Sequence, residues 1–327
     1  ELRSALDRID TEPIGGELLR TRRGATRGWL KVQDGCDRKC SFCATRLARG
    51  ESRSRAPDQV VAEALLLSGR HPELVVTGIH IGHYGKDLDP TWTLSRLVAL
   101  LLDRVPDARF RLGSIEATEV DDLLIDLLAT SGGRLAPHVH MPLQSGADPV
   151  LKLMRRWHTR EQYRVRVLEL AERVSPLGLG ADVITGFPGE SEHDHDSTRA
   201  LIDELPFTYL HVFPFSPRDG TVAVRLPHPV PQRVSGQRSR ELREIAQAKG
   251  REYRETRVGG SAEVVVEGDG GTALTGDYLR VGVGGALRTA HHHEQTGTLE
   301  RLPTGTLQGD ADHLYITLSQ QPSVISA

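Results

Sequence analysis

The chain has 327 residues, 38% of them apolar and 26% charged, with a formal net charge of −3. That length suits one large domain or two unequal ones, and no run approaches the roughly 18 apolar residues of a membrane span. A near-neutral balance gives no global attraction to nucleic acid, so any RNA contact has to come from local basic patches.

The opening stretch, ELRSALDRID, is charged and unlike a signal peptide. With three cysteines read as reduced thiols, this points to the cytoplasm. GWLKVQ (Gly28–Gln33) reads as a strand. DGCDRKCSFCATRLARG (Asp34–Gly50) then holds Cys36, Cys40 and Cys43, every thiol of the chain within eight positions. RLARGESRSR (Arg46–Arg55) follows with Arg46, Arg49, Arg53 and Arg55 against one acid. Pro57 starts a helix in which Val60, Val61, Ala64 and Leu65 share a face. ELVVTG (Glu73–Gly78) is a buried-strand pattern. TLSRLVALLLDRV (Thr93–Val105) is a helix stopped by Pro106. ARFRLGSI (Ala108–Ile115) is a strand, and VDDLLIDLLATSGG (Val120–Gly133) is a helix closed by two glycines. HVHMPL (His138–Leu143), GLGADVITGF (Gly178–Phe187) and FTYLHVFPF (Phe207–Phe215) are three more strands, with helices around Arg160–Val174 and His195–Leu205 between them. Strands alternating with helices imply an α/β fold with a parallel sheet, rolled into a partial (β/α)6 barrel. Ligands of such folds sit at the C-terminal strand ends, and the cysteines follow the first strand.

GQRSRELREIAQAKGREYRETR (Gly236–Arg257) is a long basic helix, with seven Lys/Arg against four Glu. Beyond it the texture turns to Gly, Thr and Val in short alternating runs such as SAEVVVEG and DHLYITL, the pattern of a small antiparallel β-barrel. His291, His292 and His293 read as a surface loop. The expected division is a linker over 1–27, the α/β domain over 28–235, the connecting helix over 236–258 and the barrel over 259–327.

An odd number of clustered thiols does not suit disulfides. A zinc knuckle would need a fourth ligand, for which His71, His80 and His83 are candidates. The C-x3-C-x2-C spacing fits three corners of a [4Fe–4S] cluster whose fourth iron is left to a ligand that is not protein.

The stretches GCDRKCSFC, ARGESRSR, VVTGIHIGHYG, LGSIEATEV, MPLQSGADPVLKLMRR and ADVITGFPGE occur here in order. Together they resemble the radical S-adenosylmethionine (SAM) methylthiotransferases, most of all the branch acting on threonylcarbamoyladenosine in tRNA. LTGDYLRVGV resembles that family's small RNA-binding barrel, the TRAM domain. The resemblance implies that the open iron takes SAM, whose reductive cleavage yields a 5′-deoxyadenosyl radical. It implies that Phe42 packs near the adenine and that Gly78 and His80 meet the methionine amino group. Glu116 and Gln144 would reach the ribose, and Arg156, in competition with Arg155, the methionine carboxylate. Asp182 and Gly186 would flank the adenosine, Glu190 would cap the following helix, and Arg46, Arg49, Arg53 and Arg55 would meet tRNA phosphate. The implied product is a 2-methylthio group on the modified adenosine at tRNA position 37. The implied partners are the tRNA anticodon stem-loop and an electron donor such as flavodoxin or ferredoxin.

Three features depart from the family pattern. Complete members carry an N-terminal domain with three further cysteines that hold a second [4Fe–4S] cluster, and the sequence here starts about 35 residues before Cys36. The expectation is a fragment that binds one cluster and SAM without completing the sulfur insertion. From Arg257 onward there are four arginines, no lysine and eight acids, which favours a sister branch acting on an aspartate of ribosomal protein S12. The motifs around the chemistry favour tRNA. A zinc-knuckle RNA-binding module is the non-enzymatic alternative. Thr45, Arg46 and Leu47 also replace the Pro-aromatic pair usual before Ala-Arg-Gly.

Overall fold

The computed structural model describes residues 25–88, 92–268, 271–284 and 302–318. Its first unit is an open wall of six parallel strands: β1 (Gly28–Asp34), β3 (Glu73–Gly78), β4 (Arg109–Leu112), β5 (His138–His140), β6 (Gly178–Thr185) and β7 (Tyr209–Pro214). The short β2 (Arg53–Ser54) runs antiparallel along the β1 edge. β1, β3 and β4 form one sheet and β5, β6 and β7 another. Among the described residues the backbone pairing between the two sheets consists of the isolated bridges Phe110↔Leu135 and Ser114↔His140.

Alternation along each strand sends one set of side chains outward to the helices. Leu30, Val32, Leu74, Val76, Phe110, Leu112, Val139, Leu179, Ala181, Val183 and Val212 join one core with Ala64, Leu97, Leu124, Tyr163 and Leu201 from the covering helices. The opposite set, including Glu73, Arg109, Arg111, His140, Asp182 and His211, lines the concave side.

The helices are α1 (Thr45–Arg49), α2 (Pro57–Ser68), α3 (Leu94–Arg104), α4 (Asp122–Thr130), α5 (Asp148–Leu153), α6 (Arg160–Arg173), α7 (Glu192–Glu204) and α8 (Gln232–Arg257). Short polar caps fix the starts of several. Thr93 and Asp121 accept from the third backbone N–H of α3 and α4, while Thr159 with Gln162 and Ser191 with Asp194 form capping boxes on α6 and α7. Ser191 therefore caps α7, not Glu190. Glu190 instead accepts from the Gly186 N–H at 2.6 Å and pairs with Arg238 of α8 at 2.8 Å.

α8 begins four residues before the basic run, directly after Pro231, and several of its cations are used internally. Arg243 donates to the Val212 carbonyl, Arg254 to the Ala311 carbonyl, and Arg257 pairs with Asp277. The helix braces two bodies more than it presents a basic face. The second body is a closed five-stranded barrel in the order β10-β12-β11-β8-β9: β8 (Ser261–Glu267), β9 (Thr272–Thr275), β10 (Arg280–Gly284), β11 (Thr304–Gln308) and β12 (Tyr315–Leu318). It departs from the expected antiparallel barrel at one pair, because β10 and β12 run parallel. His291, His292 and His293, and the linker reading up to residue 24, lie outside the described residues.

Buried arginines tie the two bodies together. Glu73, fully buried, receives Arg109 at 2.6 Å and Arg111 at 2.8 Å. Arg111 also donates to the carbonyls of Gly276 and Thr275, and Arg109 to that of Glu263, all in the small barrel. Burial pushes the Glu73 carboxyl up, but the two guanidiniums outweigh it and bring it down to about 2.

Candidate active site

The three thiols lie on the loop that leaves β1 at its C-terminal end. The Cys43 N–H donates to the Cys40 carbonyl and the Cys36 N–H to that of Gly50. Ser41, buried between the cysteines, holds the middle of the loop. Its N–H and hydroxyl donate to the carbonyls of Met154 and Leu153, and its own carbonyl accepts from Ala223 N–H. Gln33 holds the start: its side chain donates to the Gly35 carbonyl and accepts from the His80 N–H. Sequence reasoning missed both residues, because the partners that tie them into the fold, Met154, Leu153 and Ala223 for Ser41 and His80 for Gln33, lie far away in the chain. All three cysteines are free thiols, Cys43 exposed and the others half-buried. Burial pushes the Cys36 and Cys40 thiols up, against the Arg38 N–H at Cys36 and Arg156 at Cys40.

Arg156 reaches this loop from outside it, with Nη1 3.8 Å from Cys40 Sγ. Its Nη2 donates to Glu116 and to the Pro142 carbonyl. The sequence reading gave Glu116 and Arg156 separate ligand contacts; here they pair with each other, because the loop after β4 and the turn after α5 converge beside Cys40. Arg155 is exposed with φ 58°. Burial pushes Glu116 up to about 7, with Arg156 opposing and Glu119 adding to the rise. Trp157 sits between two guanidiniums, Arg38 at 3.8 Å and Arg156 at 4.5 Å from its ring centre. Arg156 Nε and Trp157 Nε1 are both buried donors with no partner among the described residues.

His80 stands on the other flank, its Nδ1 3.5 Å from Cys36 Sγ and its Nε2 2.9 Å from Glu119. His83 stacks on it at 4.0 Å, and Arg38 also pairs with Glu119. Burial pushes Glu119 up, but His80, His83 and Arg38 pull it well below the usual carboxylate range. The His80 side chain is thus engaged on both nitrogens. Gly78 is required by the protein's own backbone, since a Cβ there would lie 2.7 Å from the Gln33 carbonyl oxygen. His71 is buried against the Thr26 carbonyl.

Phe42 packs edge-on against Phe187, beside Val150 and Met154. Gln144 adopts φ 66°, rare for a side chain larger than glycine, while its N–H and carbonyl bond β6 at Asp182 and Ile184. Gly186 has φ 71°, and a Cβ there would strike Ser235 of α8 at 2.4 Å. Asp182 lies on the concave side between His140 and His211. Of the four loop arginines, Arg46 pairs with Glu51, Arg49 lies 3.8 Å from Asp34, and Arg53 is exposed. Arg55 departs from the expected phosphate contact. It is fixed by buried Glu63 at 2.7 Å and by the Lys31 carbonyl, because α2 carries that acid directly beneath it.

An open α/β wall with three free thiols on its first strand-end loop defines a radical SAM protein, and the sequence model of the radical SAM superfamily matches residues 30–202. A threonylcarbamoyladenosine tRNA methylthiotransferase MtaB of Rickettsia prowazekii is 36% identical over 81% of this chain and 63% of its own. The enzyme of that name from Aquifex aeolicus is 33% identical over 86% of this chain and 70% of its own. A tRNA-2-methylthio-N(6)-dimethylallyladenosine synthase of Bacillus pumilus is 36% identical over 77% and 50%. The chain belongs to the radical SAM methylthiotransferase family. It spans about half to two-thirds of the length of the first of these relatives. Among solved structures, the coproporphyrinogen III oxidase HemN of Escherichia coli shares the fold, with a TM-score of 0.51 and 17% identity over 69% of this chain and 53% of that one.

The cofactors of that superfamily are a [4Fe–4S] cluster and SAM, and the residues present fit both. Three free thiols on one pinned loop suit three irons. The unpartnered Arg156 and Trp157 donors beside them suit a carboxylate. Among the described residues no helix is long and apolar enough to cross a membrane.

Proposed function

We propose that this chain is the radical SAM and C-terminal barrel portion of a tRNA methylthiotransferase that installs a 2-methylthio group on threonylcarbamoyladenosine at tRNA position 37. The observation that carries the reading is the convergence on one loop of three free thiols, Arg156 and the unpartnered donors of Arg156 and Trp157. The names of the relatives support the tRNA substrate. Bound together, the cluster and SAM supply a one-electron cleavage that activates a C–H bond. The chain's part is to hold Cys36, Cys40 and Cys43 in register through Ser41 and Gln33. Arg156 and Trp157 orient the amino-acid end of SAM, and Phe42 with Phe187 provides an apolar wall.

The test is anaerobic reconstitution. The protein should take up about four irons and four sulfides and, with dithionite and SAM, release 5′-deoxyadenosine. Replacing any of the three cysteines by alanine should abolish both. Stoichiometric zinc without iron uptake, or SAM cleavage that survives Cys40→Ala, would sink the reading. Competition between anticodon stem-loop RNA and ribosomal protein S12 decides the acceptor, and preferential binding of the protein would replace tRNA.

A further inference from the structure

A second cluster of metal-ligating side chains lies outside the cysteine loop. His140, Asp182 and His211 come from the adjacent strands β5, β6 and β7. Asp182 and His211 are direct register partners, and His140 pairs with Gly180, one same-face step from Asp182. Val139, Ala181, Val183 and Val212 are buried on the helix side, so alternation turns all three ligands to the concave face. His140 Nε2 and His211 Nδ1 each lie 3.2 Å from the same oxygen, Oδ1 of Asp182. All three candidate ligand atoms fall within 4.8 Å of one another. Zinc–ligand bonds of about 2.0–2.2 Å at tetrahedral angles separate neighbouring ligand atoms by about 3.3–3.6 Å, so an ion fits with small side-chain shifts.

The surroundings are also those of a metal-bound imidazole. His140 Nδ1, the nitrogen turned away from Asp182, lies 3.0 Å from the Tyr209 hydroxyl, which lies 2.8 Å from His138 Nε2. A tied second nitrogen fixes the orientation and tautomer of a ligating histidine. The Asp182 and His211 side chains keep 28% and 55% of their surface exposed, so the group has an open side. We propose that His140, Asp182 and His211 form a two-histidine, one-carboxylate site for a first-row divalent cation, with positions left open toward the barrel lumen for water or an anionic oxygen. The proposed activity needs no such ion, so the two readings stand or fall separately.

The bland alternative is a carboxylate bonded by two imidazoles with no affinity for metal. Equilibrium dialysis against Zn2+ separates them, using the full chain with its iron–sulfur centre assembled anaerobically and loose metal removed on a chelating resin. The wild type should hold about one zinc per chain beyond its iron. His211→Ala, at an exposed side chain, and Asp182→Asn, which keeps the shape, should each weaken binding at least about tenfold, and Tyr209→Phe by roughly 10- to 100-fold. His83→Ala and a variant with His291, His292 and His293 all changed to alanine should keep the zinc. Circular dichroism of the metal-free variants checks that each is folded. Wild-type affinity in both His211→Ala and Asp182→Asn overturns the proposal, as does zinc lost only when the three consecutive histidines are replaced.

Discussion

Arg156 reaches Cys40 and Glu116, while Arg155 beside it points outward with a left-handed backbone. If Arg156 orients SAM, Arg156→Ala should keep the cluster but weaken SAM binding by about ten- to a hundredfold, the worth of one charge-assisted hydrogen bond of roughly 1.5–3 kcal/mol. Arg155→Ala should be silent in the same calorimetric titration. Glu116 makes a pH prediction. Its carboxyl titrates at about 7 in the fold against 4.5 as a free side chain. The folded chain therefore binds more protons between those values. The stability this group contributes is complete below pH 4.5 and is lost as pH rises through 7, roughly 3 kcal/mol in all. Glu116→Gln should then lose less stability than wild type between pH 5 and 8 in urea unfolding. Parallel decline of the two would refute it. The thiols were legible because spacing alone carries their chemistry. Ser41, Gln33 and Trp157 were not, since a serine, a glutamine and a tryptophan declare nothing until the chain is folded around them.

Elements explain why the loop arginines divide. Arg46, Arg49 and Arg53 sit on α1 and β2 at the rim, whereas Arg55 turns under to meet Glu63 of α2. For binding of anticodon stem-loop RNA, each of Arg46→Ala, Arg49→Ala and Arg53→Ala should reduce the slope of log affinity against log salt by about 0.7–0.9. Arg55→Ala should leave that slope alone and lower the melting temperature, because it strands a buried carboxylate. The strands and long helices were legible from period-two and period-3.6 patterns. The short α1, β2 and α5 were not, being too brief to show a period. The start of α8 was missed because sequence charge, not Pro231, was taken as its marker. Ser191→Ala should cost about 1 kcal/mol at the start of α7, and Glu190→Ala should act instead on the packing of α8 through Arg238.

At the scale of the whole molecule, Glu73 is the joint. It neutralises Arg109 and Arg111, which in turn hold three carbonyls of the small barrel. Removing it leaves buried guanidiniums without a counter-charge, so Glu73→Ala should destabilise the chain by about 3–5 kcal/mol and separate the unfolding of the two bodies in a calorimetric scan. A single unshifted transition would show that the joint carries little. No pattern in the sequence marked this role, for Glu73 opens an apolar run and reads as its edge. The seam between β4 and β5 has a consequence of a different kind. Two bridges hold it, through the amides of Phe110, Ala136 and Ile115, where the other neighbouring pairs in the wall share ladders of several paired residues, that of β1 and β3 with one register shift between Lys31 and Gln33. The wall is in effect two panels on a leaf hinge. In heavy water those three amides should trade their protons for deuterium ahead of the ladders on either side, marking the line along which the panels spread.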